Sequence, residues 1–335
     1  MAVTLEDVAK LAGVSHMTVS LVIRNDKRIT EETRQKVLKA IKELNYQPNY
    51  LARGLAGGRT NTIAVVATFF SSFFELNILK GMEMVSNEPE YYLNQYATRG
   101  GYKIKKKILM NLINSKRADG VIVLNIRPSA DIVRFYKKNK VPLILIEEEV
   151  KGVHTIKSDN FSGAKKAVSY LIKKGKRKIG LVIGKYENKF SALSSIERYN
   201  GYKSALEENG IEIDKRMIFQ IEDFYFEDGI KALEYFISEG IKPDAIFCAA
   251  GDMVAMGIIK EAQKRKIKIP EDIAIIGFDD IVVSEIVNPP LTTVRQPIEK
   301  MGQEAYKLAV NAVEGKITEP QKLVFEPELI IRESA

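Results

Sequence analysis

Helix caps follow one another so closely at the start of this chain that only a small three-helix module fits them. Thr4, with Asp7 three residues on, forms an N-terminal cap, and Leu5, Val8, Ala9 and Ala12 recur at helical spacing until Gly13 ends the segment. After the turn Ala12-Gly13-Val14, Ser15 caps a second helix with Val19, Val22 and Ile23 facing inward and His16, Met17, Ser20 and Leu21 facing outward. Thr30 and the acids Glu31 and Glu32 open a third helix, whose expected buried stripe is Val37, Leu38, Ile41 and Leu44. Two short helices joined by a glycine-containing turn and braced by a third make a helix-turn-helix, which sets one helix into the major groove of DNA.

Charge agrees with a polyanionic partner. Residues 1–60 hold ten Lys and Arg against six Asp and Glu, so half of the chain's net +8 sits in less than a fifth of its 335 residues. Basic surface attracts phosphates by releasing counterions, without sequence preference. The lone cysteine, Cys248, lies in the apolar run 245–250 and reads as a buried strand residue, which excludes a disulfide framework and a cysteine metal site. No apolar run approaches the length of about eighteen residues of a membrane span, and no signal-peptide core opens the chain, so a cytoplasmic protein is expected.

From Asn61 the pattern changes to short apolar strands (63–68, 91–96, 121–125, 143–147, 179–183, 245–248, 273–278) alternating with amphipathic helices (103–115, 131–139, 161–174, 195–209, 227–238, 252–265). That alternation predicts α/β architecture, with doubly wound parallel sheets covered on both faces and ligands beyond the carboxyl ends of the strands. No Gly-x-Gly-x-x-Gly follows a strand, no Gly-Lys-Ser/Thr phosphate loop occurs, and the only histidines are His16 and His154. An α/β enzyme is therefore disfavoured, and no catalytic residue, metal or cofactor is assigned. A secreted solute-binding protein fits the strand–helix pattern but not the DNA module.

The chain resembles the lactose-repressor and purine-repressor (LacI/GalR) family of bacterial transcription regulators over essentially its whole length. The motifs that carry the resemblance are Thr4-Leu5-Glu6-Asp7-Val8-Ala9, Gly13-Val14-Ser15, Thr18-Val19-Ser20, Asn45-Tyr46-Gln47-Pro48-Asn49, Gly277-Phe278-Asp279-Asp280 and Pro289-Pro290-Leu291-Thr292-Thr293-Val294-Arg295-Gln296-Pro297. It implies a helix-turn-helix domain over 1–47, a hinge helix and linker over 48–60, and a two-lobed periplasmic-binding-protein-like effector and dimerisation domain over 61–335. The first lobe would comprise 61–157 and 290–318, and the second 158–289 and 319–335.

The resemblance further implies a homodimeric repressor on a palindromic, double-stranded operator, without membrane association. His16, Met17 and Leu21 would read base edges, with Thr4, Leu5, Ser15, Thr18, Ser20, Asn25, Thr30, Thr33 and Tyr46 at or near the phosphates. Leu21 departs from the arginine common in the family, so a thymine methyl replaces guanine as its natural contact; partial burial of Met17 and Leu21 is the plainer alternative. In the hinge, Asn49 caps a helix over 50–56 in which Leu55 wedges into the minor groove beside Ala52. The lack of leucine heptads after Glu326 suggests a dimer and not a tetramer.

By the same resemblance a small effector, a sugar or sugar derivative, occupies the cleft between the lobes and contacts Phe74, Glu147, Asp159, Arg198, Phe224 and Asp279. Each has a structural alternative: Asp159 as a helix cap, Asp279 as a turn residue, Arg198 as an ion-pair partner. A purine or a protein corepressor is the alternative effector. The segment Phe69-Phe70-Ser71-Ser72-Phe73-Phe74, followed by Glu75, departs from the polar turn usual in the family.

Overall fold

The computed structural model describes the chain except residues 1–2, 24–25, 27, 47–58, 87–90, 100, 187–191 and 222. The hinge readings, including Asn49, Ala52 and Leu55, and the Asn25 reading lie outside the described residues. The chain divides into two compact units, Met1–Thr60 and Asn61–Ala335.

The first unit holds α1 (Leu5–Ala12), α2 (His16–Ile23) and α3 (Glu31–Glu43). Its caps follow from the side chains. Thr4 Oγ1 accepts from Asp7 N at 3.3 Å while Asp7 Oδ2 accepts from Thr4 N at 2.8 Å, and Ser15 Oγ accepts from Thr18 N at 3.1 Å. Gly13 ends α1 at φ 66°, a left-handed conformation that costs glycine little. The core is Val8, Ala9, Val19, Val22, Val37, Ala40 and Tyr46. Leu38, expected in the stripe of α3, is 46 % exposed; Ala40, three residues after Val37, takes the inward position that Leu38, one step round the helix, does not reach.

The second unit contains two six-stranded sheets. The first comprises β1 (Thr62–Ala67), β2 (Tyr92–Ala97), β3 (Gly120–Leu124), β4 (Leu143–Ile146), β5 (His154–Ser158) and β11 (Lys322–Phe325), in the order β11-β5-β4-β3-β1-β2 and parallel throughout. The second comprises β6 (Ile179–Gly184), β7 (Ile218–Ile221), β8 (Ala245–Cys248), β9 (Ala274–Asp279), β10 (Thr292–Arg295) and β12 (Glu328–Ile330), in the order β12-β10-β9-β8-β6-β7 with only β12 antiparallel. The central strands are buried on both faces, as helix-covered parallel sheets require.

Two assignments to lobes are corrected here. Thr292–Arg295, expected in the first lobe with 290–318, pairs with β9 in the second sheet, and only the helix after it returns to the first lobe. Lys322–Phe325, expected in the second lobe with 319–335, pairs with β5 in the first sheet. The chain therefore passes between lobes after Ser158, around Gln296 and around Glu326. Both misplaced strands are four residues long, and their local pattern carries no record of which sheet they join.

Glycines bring the helices that border the cleft backbone to backbone. In the first lobe α4 (Phe73–Glu83) crosses α11 (Ile298–Val313) so closely that a Cβ on Gly302 would lie 2.1 Å from the Ile78 carbonyl oxygen. In the second, α9 (Phe226–Ser238) crosses α10 (Asp252–Lys264), where a Cβ on Gly229 would lie 1.9 Å from the Val254 carbonyl oxygen. Backbone atoms cannot yield as a flexible side chain does, so any side chain here forces the helices apart. Gly302→Ala is expected to lower unfolding free energy by about 1–3 kcal/mol. An unchanged denaturation midpoint in guanidinium would contradict this crossing.

Candidate functional site

The first unit presents one polar end of α2 to solvent. Ser15, His16 and Met17 are exposed, Met17 at 60 %, so Met17 is not packed against neighbouring helices. Thr18, Ser20 and Leu21 are half-buried beside them, and the Ser15 and Thr18 hydroxyls share a hydrogen bond of 2.9 Å. Thr4 is exposed at the start of α1, while Thr30 caps α3 by accepting from Thr33 N at 3.4 Å. Leu5 and Tyr46, expected near phosphates, turn their side chains into the three-helix core. This surface offers hydroxyls, an imidazole and one apolar tip, the mixture that base-edge reading uses.

In the second unit a cavity of about 560 Å³ opens at the carboxyl ends of the strands of both sheets. Thr68 follows β1, Asn125 follows β3, Glu147 follows β4, Lys185 follows β6, Ala250 and Gly251 follow β8, and Asp279 ends β9; all line it. The N-termini of α4, α9 and α10 add Phe73, Phe74, Glu75, Phe226 and Asp252. Of the expected contacts, Phe74, Glu147, Arg198, Phe224 and Asp279 lie on this wall. Asp159 does not: its Oδ1 accepts from Ser162 N at 3.0 Å, capping α7 (Asn160–Lys173).

Arg198, on α8 (Leu193–Glu208), is 9 % exposed. Its guanidinium lies 3.7 Å from the centre of the Phe278 ring, Nε donates to Asn160 Oδ1 at 2.8 Å, and Nη1 donates to the Ala249 carbonyl at 2.8 Å. Nη2 stands 3.9 Å from Asp279 Oδ1, beyond a direct hydrogen bond. Asp279 is held by Gln296 Nε2 at 2.6 Å, and burial raises its pKa against the lowering pull of Arg198. Asp252 is spoken for by the wall: Ile281 N, Ser284 Oγ and Thr293 Oγ1 donate to it at 3.0, 2.8 and 2.6 Å. Burial, reinforced by Asp279, pushes its pKa up to about 8.

Glu147 is likewise tied down, accepting from Ser158 N at 2.7 Å and Asn160 Nδ2 at 2.6 Å; its burial raises its pKa. Glu75, noted in the sequence only as following the aromatic segment 69–74, stands in the first turn of α4, which Ser72 caps. The Glu75 carboxylate is nonetheless 6 % exposed and faces the cavity, with Ser72 Oγ and Asn125 Nδ2, the latter at 3.1 Å, as donors. Desolvation pushes its pKa up to about 7, with Asp279 adding to the rise. Asn125, read as the last residue of strand 121–125, instead follows β3 directly and so comes to line the cavity. Next to Glu147 in the chain, Glu148 accepts from Leu193 N at 3.2 Å and burial pushes its pKa up to about 7.

A helix-turn-helix unit joined to a two-sheet unit with a cleft is what known relatives share. Residues 4–49 match the model of bacterial regulatory proteins of the lacI family, and residues 168–335 match a periplasmic binding protein-like domain. The transcriptional regulator DegA of Bacillus subtilis is 35 % identical across 100 % of this chain and 98 % of its own length. CelR of Thermobifida fusca is 33 % identical across 99 % of this chain and 98 % of its own.

The chain belongs to the LacI family.

It is thus a helix-turn-helix transcriptional regulator, and its relatives are regulators and not enzymes. Among solved structures, a lac repressor dimer bound to operator and the anti-inducer ONPF superposes with a TM-score of 0.85 at 26 % identity, covering 100 % of this chain and 99 % of that one. A CelR–cellobiose complex matches with a TM-score of 0.74 at 31 % identity, covering 99 % and 100 %. Among the described residues, no helix is long and apolar enough to cross a membrane, and no metal-binding cluster occurs.

The raised carboxyl groups set a pH dependence for this LacI-family cleft. Glu75 ionises at 4.5 when unperturbed but near 7 in the fold, so between these values the native state holds a proton that the unfolded chain has released. Its contribution to stability therefore falls as pH rises through that window and levels off above it. His154, lowered by burial from 6.5, acts in the opposite sense below that pH, so the comparison with Glu75→Gln isolates the carboxylate. Ligand-free protein should lose melting temperature from about pH 5 to about pH 8 more steeply than Glu75→Gln does. Parallel profiles would show that Glu75 is not strained.

Proposed function

We propose that this regulator is a homodimeric repressor of a palindromic operator, acting in the cytoplasm and controlled by a sugar or sugar derivative bound in the cleft. The observation that carries the reading is the Arg198–Asp279 pair. Arg198 is buried and Asp279 half-buried on the cavity wall, 3.9 Å apart and oriented by other partners, so guanidinium and carboxylate retain donor and acceptor capacity toward adjacent hydroxyls. Phe73, Phe74 and Phe224 supply the apolar faces against which the C–H side of a sugar ring packs. The cellobiose complex of CelR and the operator complex of the lac repressor dimer support the ligand class and the assembly. On DNA, His16, Met17 and Leu21 read base edges, and Leu55 forms the minor-groove wedge. The same aromatic trio favours a second reading, a purine that strengthens operator binding.

A thermal-shift screen against sugars, sugar phosphates and purines decides between these classes, because a ligand of the folded state raises the melting temperature by mass action. Arg198→Ala should abolish the sugar response and leave operator binding in place. A mutant responding at wild-type sugar concentrations would remove Arg198 from the site. On the DNA side, operator affinity should fall roughly a thousandfold or more between about 50 and about 200 mM salt. A flat salt dependence would contradict phosphate-dominated binding.

A further inference from the structure

Among the described residues, five carboxylates line the cleft: Glu75, Glu147, Asp223, Asp252 and Asp279. Glu147 and Asp252 are consumed by hydrogen bonds within the wall, Asp279 faces Arg198, and Asp223 is exposed to solvent. Among the described residues, the hydrogen-bond donors to Glu75, deeply buried at the cavity surface, are neutral, Ser72 and Asn125, and the like charge of Asp279 adds to the cost of ionising it. The two sit on opposite lobes, Glu75 at the start of α4 and Asp279 at the end of β9. A buried carboxylate without a cation is costly unless something in the functional state neutralises it.

We propose that the effector is a sugar bearing a protonated amino group, whose ammonium docks on Glu75 while its hydroxyls engage Arg198 and Asp279. This rests on the sugar-cleft reading above and narrows it to amino sugars. An ammonium offers three donors and a full positive charge, matching a carboxylate that has neutral donors only. Placed against Glu75 it also screens the repulsion from Asp279, so the same contact favours approach of the two lobes. Arg198 repels the ammonium from the second-lobe wall, which fixes the ligand's direction in the cleft. Lys105 and Lys185 also line the cavity, and they define the competing case, an anionic sugar phosphate.

Calorimetric titration of the full-length protein with mono- and disaccharide pairs tests this: glucosamine against glucose and N-acetylglucosamine, and chitosan disaccharide against cellobiose. In at least one pair the amine should bind at least about tenfold more tightly than its neutral counterpart. That preference should rise from about pH 5 toward about pH 7 as Glu75 ionises, and fall again at higher pH as the amine loses its own proton. In Glu75→Gln the ratio of amine to neutral affinity should collapse toward one, and the pH dependence of the ratio should vanish. Neutral sugars that bind as tightly as their amines in every pair, lost only in Arg198→Ala, would overturn the amino-sugar inference and leave the sugar reading standing. Sugar phosphates that bind more tightly than amines and are lost in Lys105→Ala would overturn it in favour of an anionic ligand. Purine binding without any sugar binding would overturn both.

Discussion

The buried guanidinium of Arg198 organises the second-lobe wall of the cleft. It stacks on Phe278, donates to Asn160 at the start of α7 and to the carbonyl of Ala249 beyond β8, and faces Asp279 at the end of β9. These partners come from two strand ends and from the point where the chain first crosses between lobes. A delocalised cation with donors in a fixed fork can satisfy such divergent acceptors at once; lysine, a single point of charge on a flexible stem, cannot. Burial lowers the pKa of Arg198, and Asp279 and Glu147 oppose that shift, so the charge is retained where desolvation works against it.

The helix crossings set the reach of the other side chains around this centre. Close contact of α4 with α11, and of α9 with α10, fixes where Phe73, Phe74 and Glu75 on one lobe, and Phe226 and Asp252 on the other, enter the cavity. Hydrogen bonds then divide the acidic groups into two kinds. Glu147 and Asp252 hold backbone and hydroxyl donors of the wall, which orients the loops beyond β4 and β8. Glu75 and Asp279 keep carboxyl oxygens facing the cleft, one from each lobe. On the proposed reading, the same two charges act on the ligand and on the approach of the lobes.

Much of this was legible in the sequence, for reasons specific to each element. Thr4, Gly13, Ser15 and Thr30 announced the first three helices because caps act through bonds within three residues. Alternating strands and helices gave the α/β class, and the rule that ligands sit beyond strand ends pointed to the region of Glu147 and Asp279. What escaped was non-local. Thr292–Arg295 and Lys322–Phe325 went to the wrong lobe because sheet membership depends on pairing with distant strands. Two local points also moved: Asp159 takes the cap role named as its alternative, and Leu38 lies one helical step from the buried stripe. Glu75 carries no local signal of its own, because only the fold buries its carboxylate at the cavity and brings Asn125 to it.

Coupling between the cleft and the DNA-reading unit is the central functional claim, and linkage makes it measurable from either side. The decisive experiment titrates the effector selected by screening into the protein alone and into protein saturated with a duplex chosen from a random-sequence pool. Coupled sites require the two effector affinities to differ by a factor of about 5 or more, equal to the factor by which the effector shifts duplex affinity. Identical effector affinities with and without bound duplex would contradict regulation through this cleft.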